Sequence, residues 1–478
     1  MAEQISSRPN ILVIMTDDHG AWAAGCYGNS EIATHNLDFL ARSGCRALNA
    51  FTPNPVCSPA RACFFTGRLP SQHGIHDWLA ENPANPRAWL DGETNVAEIL
   101  RQQGYRTGLV GKWHCGNSFQ PQPGFDYWHG YARGQYPHFG QQQFIENGRL
   151  VSYHGRQAPY LTSKAAEFIR QGSSAQAFFL FVGLVDTHSP FTGHPERLVS
   201  HYRTCTFRDI PQESARVADG WVRFGTPTEE DRRKEWLAQY YASVTLLDEQ
   251  VGRLLDELES SGQLANTLVI YTSDHGHMNG HHGLYTKGNA TVPQNLYDES
   301  IRVPFLARLP SRIPAGRTLV QSVDHCDLFR TVLEAAGAKP PEGRNYPGQS
   351  FWRMLEGRPI EWRDSQYCEY GNARMIRTQK WKFIKRYAPH DQLYGDELYE
   401  LDADPRESTN LADSPRYAAI IHDLQTQLEA HFMKYEVAAK SGRNILSLPA
   451  QNNCEPWRIE RPDQCPPEGS EWRTLAGY

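Results

Sequence analysis

The chain repeatedly sets a short, nearly continuous apolar run against an abrupt polar end. "NILVIMT" stops at Asp17-Asp18-His19, "YRTGLVG" at Lys112-Trp113-His114, "AFFLFVGLV" at Asp186-Thr187-His188 and "TLVIYTS" at Asp274-His275-Gly276. A further run, "VPFLARLP", begins at Val303. Such runs suit strands of a parallel sheet buried on both faces. Helical periodicity separates them in "HNLDFLARSG", "TNVAEILRQQG", "YLTSKAAEFIRQG", "EWLAQYYASVTLLDEQVGRLLDELESSG" and "DHCDLFRTVLEAAG". In the fourth of these, Leu246, Leu247, Val251, Leu254, Leu255 and Leu258 fall on one face and Gly262 follows as a stop. The alternation predicts a wound α/β domain, in which ligands bind at the carboxyl ends of the strands. All four polar clusters lie where that rule puts a site.

The texture changes near residue 366. "QYCEYGNARMIRTQKWKFIKRY" alternates as strands do, "ELYELDADPRESTNLAD" reads as a strand and turns, and "YAAIIHDLQTQLEAHFMKYEV" is an amphipathic helix. The expected organisation is a main domain over 1–365, an α+β subdomain over 366–437 and an irregular tail over 438–478. The tail wraps the body, pairs with a second copy to make a homo-oligomer, or is loose. Residues 189–235 read as a loop or lid over the strand ends.

Composition narrows the classes. The 478 residues carry a net charge of −6 without a Lys/Arg run, so nucleic acid is not an expected partner. The apolar run from Ile11 to Met15 is too short for a signal peptide, and no segment is apolar enough to span a bilayer. Ten cysteines lack a repeating pattern. The expectation is a cytoplasmic protein in a reduced compartment, without a membrane partner.

The polar ends carry chemistry. Asp17 and Asp18 can reach one cation only if the chain turns between them. Asp274 and His275 can complete a divalent site, and the oxygen share favours calcium or magnesium. In "NPVCSPARACFFTGRLP", Pro59 reads as the first helical residue, which puts Cys57 at the positive helix start with Arg61 above it. Lys112 and His114, two apart on one strand end, project to one side. His188 ends another strand, and Lys287 lies in the Gly-rich "NGHHGLYTKG". A metal, three cations and two histidines around Cys57 suit a tetrahedral oxyanion of the sulfate or phosphate ester kind. A thiol protease or a glycosidase explains neither the carboxylates nor the cations. His201, His277, His281 and His282 read as structural histidines.

"CSPAR" followed by "ACFFTGRLP" resembles the signature of type I sulfatases in the alkaline phosphatase superfamily. "MTDDHG" before it, "VGKWH", "DTHSP" and "SDHG" after it, and "ELYELDADPRESTNLA" near the end follow the family's order. The resemblance implies an α/β fold with a large mixed, mostly parallel sheet sandwiched by helices, and the smaller C-terminal α+β subdomain. It implies that a formylglycine-generating enzyme oxidises Cys57 to Cα-formylglycine (3-oxoalanine), whose hydrate is the nucleophile. Asp17, Asp18, Asp274, His275 and the modified Cys57 would hold Ca2+, with Mg2+ or another divalent ion as alternatives. His275 stands where the family often has Asn, which weakens the preference for calcium. Arg61 would orient the diol, Lys112 and Lys287 bind sulfate oxygens, His188 with Lys287 assist the leaving oxygen, and His114 act as the base that frees sulfate. The expected reaction is hydrolysis of a small sulfated carbohydrate or aryl sulfate. A phosphonate or phosphate ester hydrolase is the nearest alternative, and a binding protein with unmodified Cys57 the next. His76, Asp77, Trp78 and Arg133 are candidates for contacting the rest of the substrate.

Overall fold

Ten strands build the main sheet of the computed structural model, which describes residues 8–82, 86–133, 137–172, 175–211 and 230–459. They are β1 (Asn10–Thr16), β2 (Cys45–Phe51), β3 (Arg106–Gly111), β4 (Tyr127–Tyr131), β5 (Phe139–Glu146), β6 (Arg149–Arg156), β7 (Phe178–Gly183), β8 (Thr267–Ser273), β9 (Phe305–Arg308) and β10 (Arg317–Asp324). Their order is β10-β2-β9-β8-β1-β7-β3-β4-β5-β6. The central strands β8, β1, β7, β3 and β4 run parallel. The "VPFLARLP" run forms β9, which is antiparallel to both of its neighbours, and β5 and β6 extend the other edge antiparallel. The sheet is therefore mixed and mostly parallel.

Strand β1 shows why it is buried on both faces. Ile11, Val13 and Met15 enter one core, while Leu12 and Ile14 enter another on the opposite side. The helices read from periodicity supply the covering layers, among them His35–Ser43, Val96–Gln102, Gln157–Arg170, Glu230–Ser260 and His325–Ala335. Leu247, Val251, Leu254, Leu255 and Leu258 of the longest helix pack into the second core. The segment expected as an irregular lid holds a helix at Glu196–Tyr202, and the long helix starts at Glu230, inside the expected loop. The part of that segment at 212–229 lies outside the described residues.

The C-terminal region forms a separate antiparallel sheet of β11 (Gln366–Tyr370), β12 (Ala373–Arg377), β13 (Trp381–Arg386) and β14 (Glu397–Glu400), backed by the helix Ala418–Tyr435. It packs on the chain around Cys57. Cys368, Tyr370 and Met375 share a core with Phe51, Val56 and Cys57. Glu369 takes hydrogen bonds from the Ser71 amide and hydroxyl, at 2.6 and 2.5 Å.

Of the three expectations for the tail, wrapping is what residues 438–459 show. Gln451 Oε1 accepts from the His76 and Asp77 amides at 2.8 and 2.7 Å, and Gln451 Nε2 donates to the Gly74 carbonyl at 3.1 Å. Residues 460–478 lie outside the described residues.

Candidate active site

Strand register brings the polar ends together. Thr16 of β1 pairs with Ser273 of β8, so Asp17 and Asp274 leave the sheet side by side. Gly111 of β3 pairs with Gly183 of β7, so Lys112 emerges next to the chain that leads to His188. The turn required of the adjacent carboxylates is present: Asp18 has φ 58°, in the left-handed region that Asp tolerates better than most residues. The Tyr240 hydroxyl holds it by donating to the Asp18 carbonyl at 2.9 Å. Beyond His275, a side chain at Gly276 would meet the Glu299 carbonyl oxygen at 2.0 Å, so only glycine fits there.

Two expectations of local geometry are corrected. The nucleophile helix runs Cys57–Thr66 with Val56 as its cap, so Cys57 rather than Pro59 is the first helical residue. Ala60 makes the first helical bond, to the Val56 carbonyl at 3.1 Å. Pro59 therefore sits in the first turn, where amides lack helical partners and its missing N–H costs nothing. Lys112 and His114 also do not share a strand face. Strand β3 ends at Gly111, and His114 has φ 54°. The loop, not the pleat, aims them.

Asp17, Asp274 and His275 form one group whose ligand-type atoms lie within 4.8 Å of each other, and Asp17, Asp18 and His188 form another. The imidazole of His275 is aimed at the carboxylates. Its Nδ1 lies 2.9 Å from the Gly276 carbonyl, to which it must donate. Its Nε2 then faces Asp17 Oδ1, Asp18 Oδ1 and Asp274 Oδ1 at 3.6, 3.3 and 3.5 Å. Orienting one ring nitrogen through the other is how metal-binding histidines are held. Burial disfavours a proton on His275, yet Asp274 and then Asp18 hold its pKa above the ordinary imidazole value. Carboxylates that favour positive charge at this imidazole are also a set that attracts a metal cation. Asp17 Oδ1 is buried without a hydrogen-bond partner, a further sign that the set fits a divalent ion.

Three cations surround the three aspartates. Arg61 is fully buried. Its Nε donates to Asp274 Oδ2 at 2.8 Å, and one terminal nitrogen donates to the Lys112 carbonyl at 3.0 Å. The other terminal nitrogen lies 3.5 Å from Asp17 Oδ2. Lys112 Nζ donates to Asp17 Oδ2 at 2.5 Å and Lys287 Nζ to Asp18 Oδ1 at 2.8 Å. Burial opposes ionisation of Asp17, but Lys112, His188, Lys287 and Arg61 together hold its carboxyl well below the usual range. Three negative charges thus meet three positive ones, and a divalent ion gives the pocket a net charge that suits an anionic ester.

His114 Nε2 lies 3.0 Å from the Leu79 carbonyl and so carries the proton, while Nδ1 has no partner. Burial, then Lys112, pushes its pKa down to about 3. That is a neutral imidazole with a free lone pair. His188 Nδ1 faces the Ser189 carbonyl at 2.7 Å and its Nε2 lies 3.8 Å from Asp18 Oδ2. Burial brings its pKa to about 3.

One residue read as structural belongs here. His277 Nε2 lies 3.8 Å from the same Asp18 oxygen, and its ring stacks on Tyr240. Its position two residues past His275 was the available signal. His281 lies 2.6 Å from the Met278 carbonyl, while His282 stacks on Tyr297 and lies 3.2 Å from Glu299 Oε2, in a group with Glu407.

The residues expected to meet the rest of the substrate divide. His76 and Asp77 are fully buried by the tail, which the sequence left without a position. His76 Nε2 donates to the Lys440 carbonyl at 2.8 Å, and Asp77 Oδ1 accepts from the Tyr370 hydroxyl at 3.0 Å. They tie the loop after the nucleophile helix to the C-terminal region instead of facing a ligand. Trp78 is half-buried and Arg133 exposed.

The chain matches the family model described as Sulfatase over residues 9–338, and the model described as N-sulphoglucosamine sulphohydrolase, C-terminal, over 280–434. An N-acetylglucosamine-6-O-sulfatase of Bacteroides thetaiotaomicron is 27% identical over 512 residues, covering 90% of this chain and 87% of its own length. An arylsulfatase of Clostridium perfringens is 26% identical, covering 92% of this chain and 97% of its own. A solved structure described as being in complex with its substrate D-glucosamine-2-N,6-O-disulfate aligns with TM-score 0.77 at 26% identity, over 90% of this chain and 98% of that one. The phosphonate monoester hydrolase of Agrobacterium radiobacter shares the fold, with TM-score 0.72 at 20% identity over 90% of this chain and 96% of its own. A family match across most of the main domain joins a pocket charged for an oxyanion, and the chain belongs to the sulfatase family, as a hydrolase of sulfuric esters.

Proposed function

We propose that the protein removes sulfate from a small sulfated carbohydrate, with Cα-formylglycine made from Cys57 as nucleophile and Ca2+ held by Asp17, Asp18, Asp274, His275 and the modified residue. The observation that carries this reading is that oxygens of three carboxylates lie 3.3–3.6 Å from His275 Nε2, an imidazole that also interacts with the Cys57 side chain. When bound, the metal supplies positive charge that lowers the pKa of the formylglycine hydrate and polarises the ester.

The chain's own side chains do the rest. Arg61, locked by Asp274 and the Lys112 carbonyl, orients the nucleophile from the next helical turn. Lys112 and Lys287 receive the sulfate oxygens. His188 presents Nε2 toward the site; the negative charge of a bound ester favours its protonated form, which with Lys287 assists the departing alcohol oxygen. His114 takes a proton through its free Nδ1 to release sulfate. Trp78 and Arg133 remain the candidates for contacting the sugar. The carbohydrate class is supported by a relative named N-acetylglucosamine-6-O-sulfatase and by the neighbour described as being in complex with D-glucosamine-2-N,6-O-disulfate. We place the enzyme in the cytoplasm, a reading supported by the eight described cysteines other than Cys57, all free of disulfides. Among the described residues no helix is long and apolar enough to cross a membrane.

The test is a mass spectrum of the Cys57 peptide together with kcat/KM on sulfated glucosamines, an aryl sulfate and an aryl phosphonate. The expected peptide has exchanged one sulfur and two hydrogens for one oxygen, and sulfated sugars are the best substrates. An unmodified thiol in active enzyme, or a preference for the phosphonate, contradicts the reading.

A further inference from the structure

The backbone that presents His188 is strained and braced from two sides. Thr187 has φ 81°. For a β-branched residue that is a genuine outlier, kept only where the surroundings over-determine it. One brace comes from β1. The Thr16 hydroxyl donates to the Asp186 carbonyl at 2.7 Å, and the Thr187 hydroxyl donates to the Asp17 carbonyl.

The other brace comes from residues that no functional role has yet claimed. His138 Nε2 lies 2.6 Å from the His188 carbonyl oxygen. Gln157 Nε2 lies 3.1 Å from His138 Nδ1, and the Tyr131 hydroxyl bonds to Gln157 Oε1. The direction of the whole chain follows from its last member. A carbonyl only accepts, so Nε2 of His138 carries a proton. In the neutral ring Nδ1 is then an acceptor and takes the Gln157 amide N–H, which leaves Oε1 to accept from Tyr131. Each group is satisfied in one consistent sense, and all of them are buried. The carboxylate of Asp186 lies beside this chain, 3.7 Å from His138 Nδ1, and neither of its oxygens has a hydrogen-bond partner. The imidazole thus spends its proton on the His188 backbone rather than on a neighbouring acid.

We infer that His138, oriented by Gln157 and Tyr131, is a positioning residue that fixes the backbone of His188 and so the aim of its imidazole at the leaving oxygen. The inference rests on the reading that His188 assists departure of the alcohol. Misaiming His188 then matters in proportion to how much help the alcohol needs. A positioning role makes the damage depend on the leaving group, whereas a purely structural role lowers activity evenly.

The experiment uses a series of substituted phenyl sulfates, from nitrophenyl to methylphenyl, with His138→Leu, His138→Gln and His188→Ala. For His138→Leu, kcat is expected to fall by about threefold on the nitrophenyl ester and by about thirtyfold or more on the methylphenyl ester, with KM within about twofold. Glutamine keeps a donor for the His188 carbonyl, and His138→Gln is expected to recover the flatter profile of the parent. Should His138→Leu fail to fold, the near-isosteric Tyr131→Phe carries the test, with the same trend at smaller amplitude. If His188→Ala shows the leaving-group trend and the His138 and Tyr131 variants lose activity evenly, this inference is wrong while the reading of His188 stands. If His188→Ala itself shows no trend, both fall.

Discussion

Lys287 Nζ stands 2.8 Å from Asp18 Oδ1, while Lys112 takes the neighbouring Asp17. Each carboxylate of the adjacent pair has its own ammonium, so the lysines compete with a metal for the same oxygens and are also the groups offered to a sulfate. Opposite effects follow from one substitution. Lys287→Met is expected to tighten divalent-ion binding several-fold and to weaken inhibition by inorganic sulfate about tenfold or more. Calorimetric titration of calcium and an inhibition constant for sulfate read the two. Equal weakening of both ligands contradicts the arrangement.

Arg61 gives a stability prediction. Its guanidinium is fully buried between Asp274 and Asp17. Burial alone disfavours the charge, but the two carboxylates hold its pKa above the ordinary value. Removing one partner leaves uncompensated buried charge, which typically costs about 3–5 kcal/mol. Arg61→Leu in chelator should lower the urea midpoint accordingly, and added calcium should recover part of the loss. A change below about 1 kcal/mol would mean that the pair is not coupled as the geometry indicates.

His114 separates the two halves of turnover. Its Nδ1 lone pair is free and its pKa of about 3 keeps it neutral across the working range. His114→Ala should slow release of sulfate more than release of alcohol. Stopped-flow assay of a chromogenic sulfate should show a burst of about one alcohol per active site, then a slow phase. Absence of a burst with a raised KM makes His114 a binding residue.

Much of this was legible in the chain because the central strands are apolar on both faces. The run Asn10–Thr16 forms a strand over its full length, and Thr267–Ser273 does the same. Edge strands were not legible. Phe139–Glu146 carries three glutamines in a row and Arg149–Arg156 is half exposed, so neither shows an apolar run. The direction of β9 was equally hidden, because it is set by how the long site loop returns from Ser273, not by the residues of the strand. In the site, motif spacing identified Asp17, Asp18, Asp274 and His275, but their convergence depends on the Thr16–Ser273 register. His138 reaches the His188 carbonyl from 50 residues away, a relation no local pattern carries.

Buried neutral histidines make the fold sensitive to acid. Desolvation lowers the pKa to about 4 for His19 and His277 and to about 3 for His114 and His188. His19 shows what a second proton disrupts: Nε2 donates to the Ala23 carbonyl at 2.9 Å and Nδ1 accepts from the Tyr271 hydroxyl at 2.6 Å. Between the unfolded histidine value of roughly 6.5 and these native values, the unfolded chain binds protons that the native chain refuses. Stability therefore falls as pH drops through that window, and these groups contribute no slope above it. His275 and the raised carboxyls of Asp327 and Glu407 act in the opposite sense, losing their contribution as pH rises, but they stand against twelve described histidines with lowered values. Urea midpoints at pH 7, 6 and 5 should decline in that order. A midpoint that is flat across the three contradicts the assignment of neutral buried imidazoles.

The C-terminal segment is expected to matter for catalysis through Gln451. Its side-chain amide takes the backbone N–H groups of His76 and Asp77 and gives a hydrogen bond to Gly74. These residues lie in the loop that follows the nucleophile helix, and the loop's later part supplies the Leu79 carbonyl that orients His114. Gln451→Ala leaves two buried donors without partners, at about 1–3 kcal/mol each. The loss should appear first as opening of this loop, since the main sheet is untouched. Amide exchange should therefore rise in the loop at denaturant concentrations that leave β1 and β8 protected. Catalysis should fall in the same step as for His114→Ala, with sulfate release slowed more than alcohol release. Gln451→Glu keeps the acceptor for both N–H groups and should restore most of the protection. If Gln451→Ala instead lowers the global unfolding midpoint with no local opening, the tail is a general brace and not a support for the His114 loop.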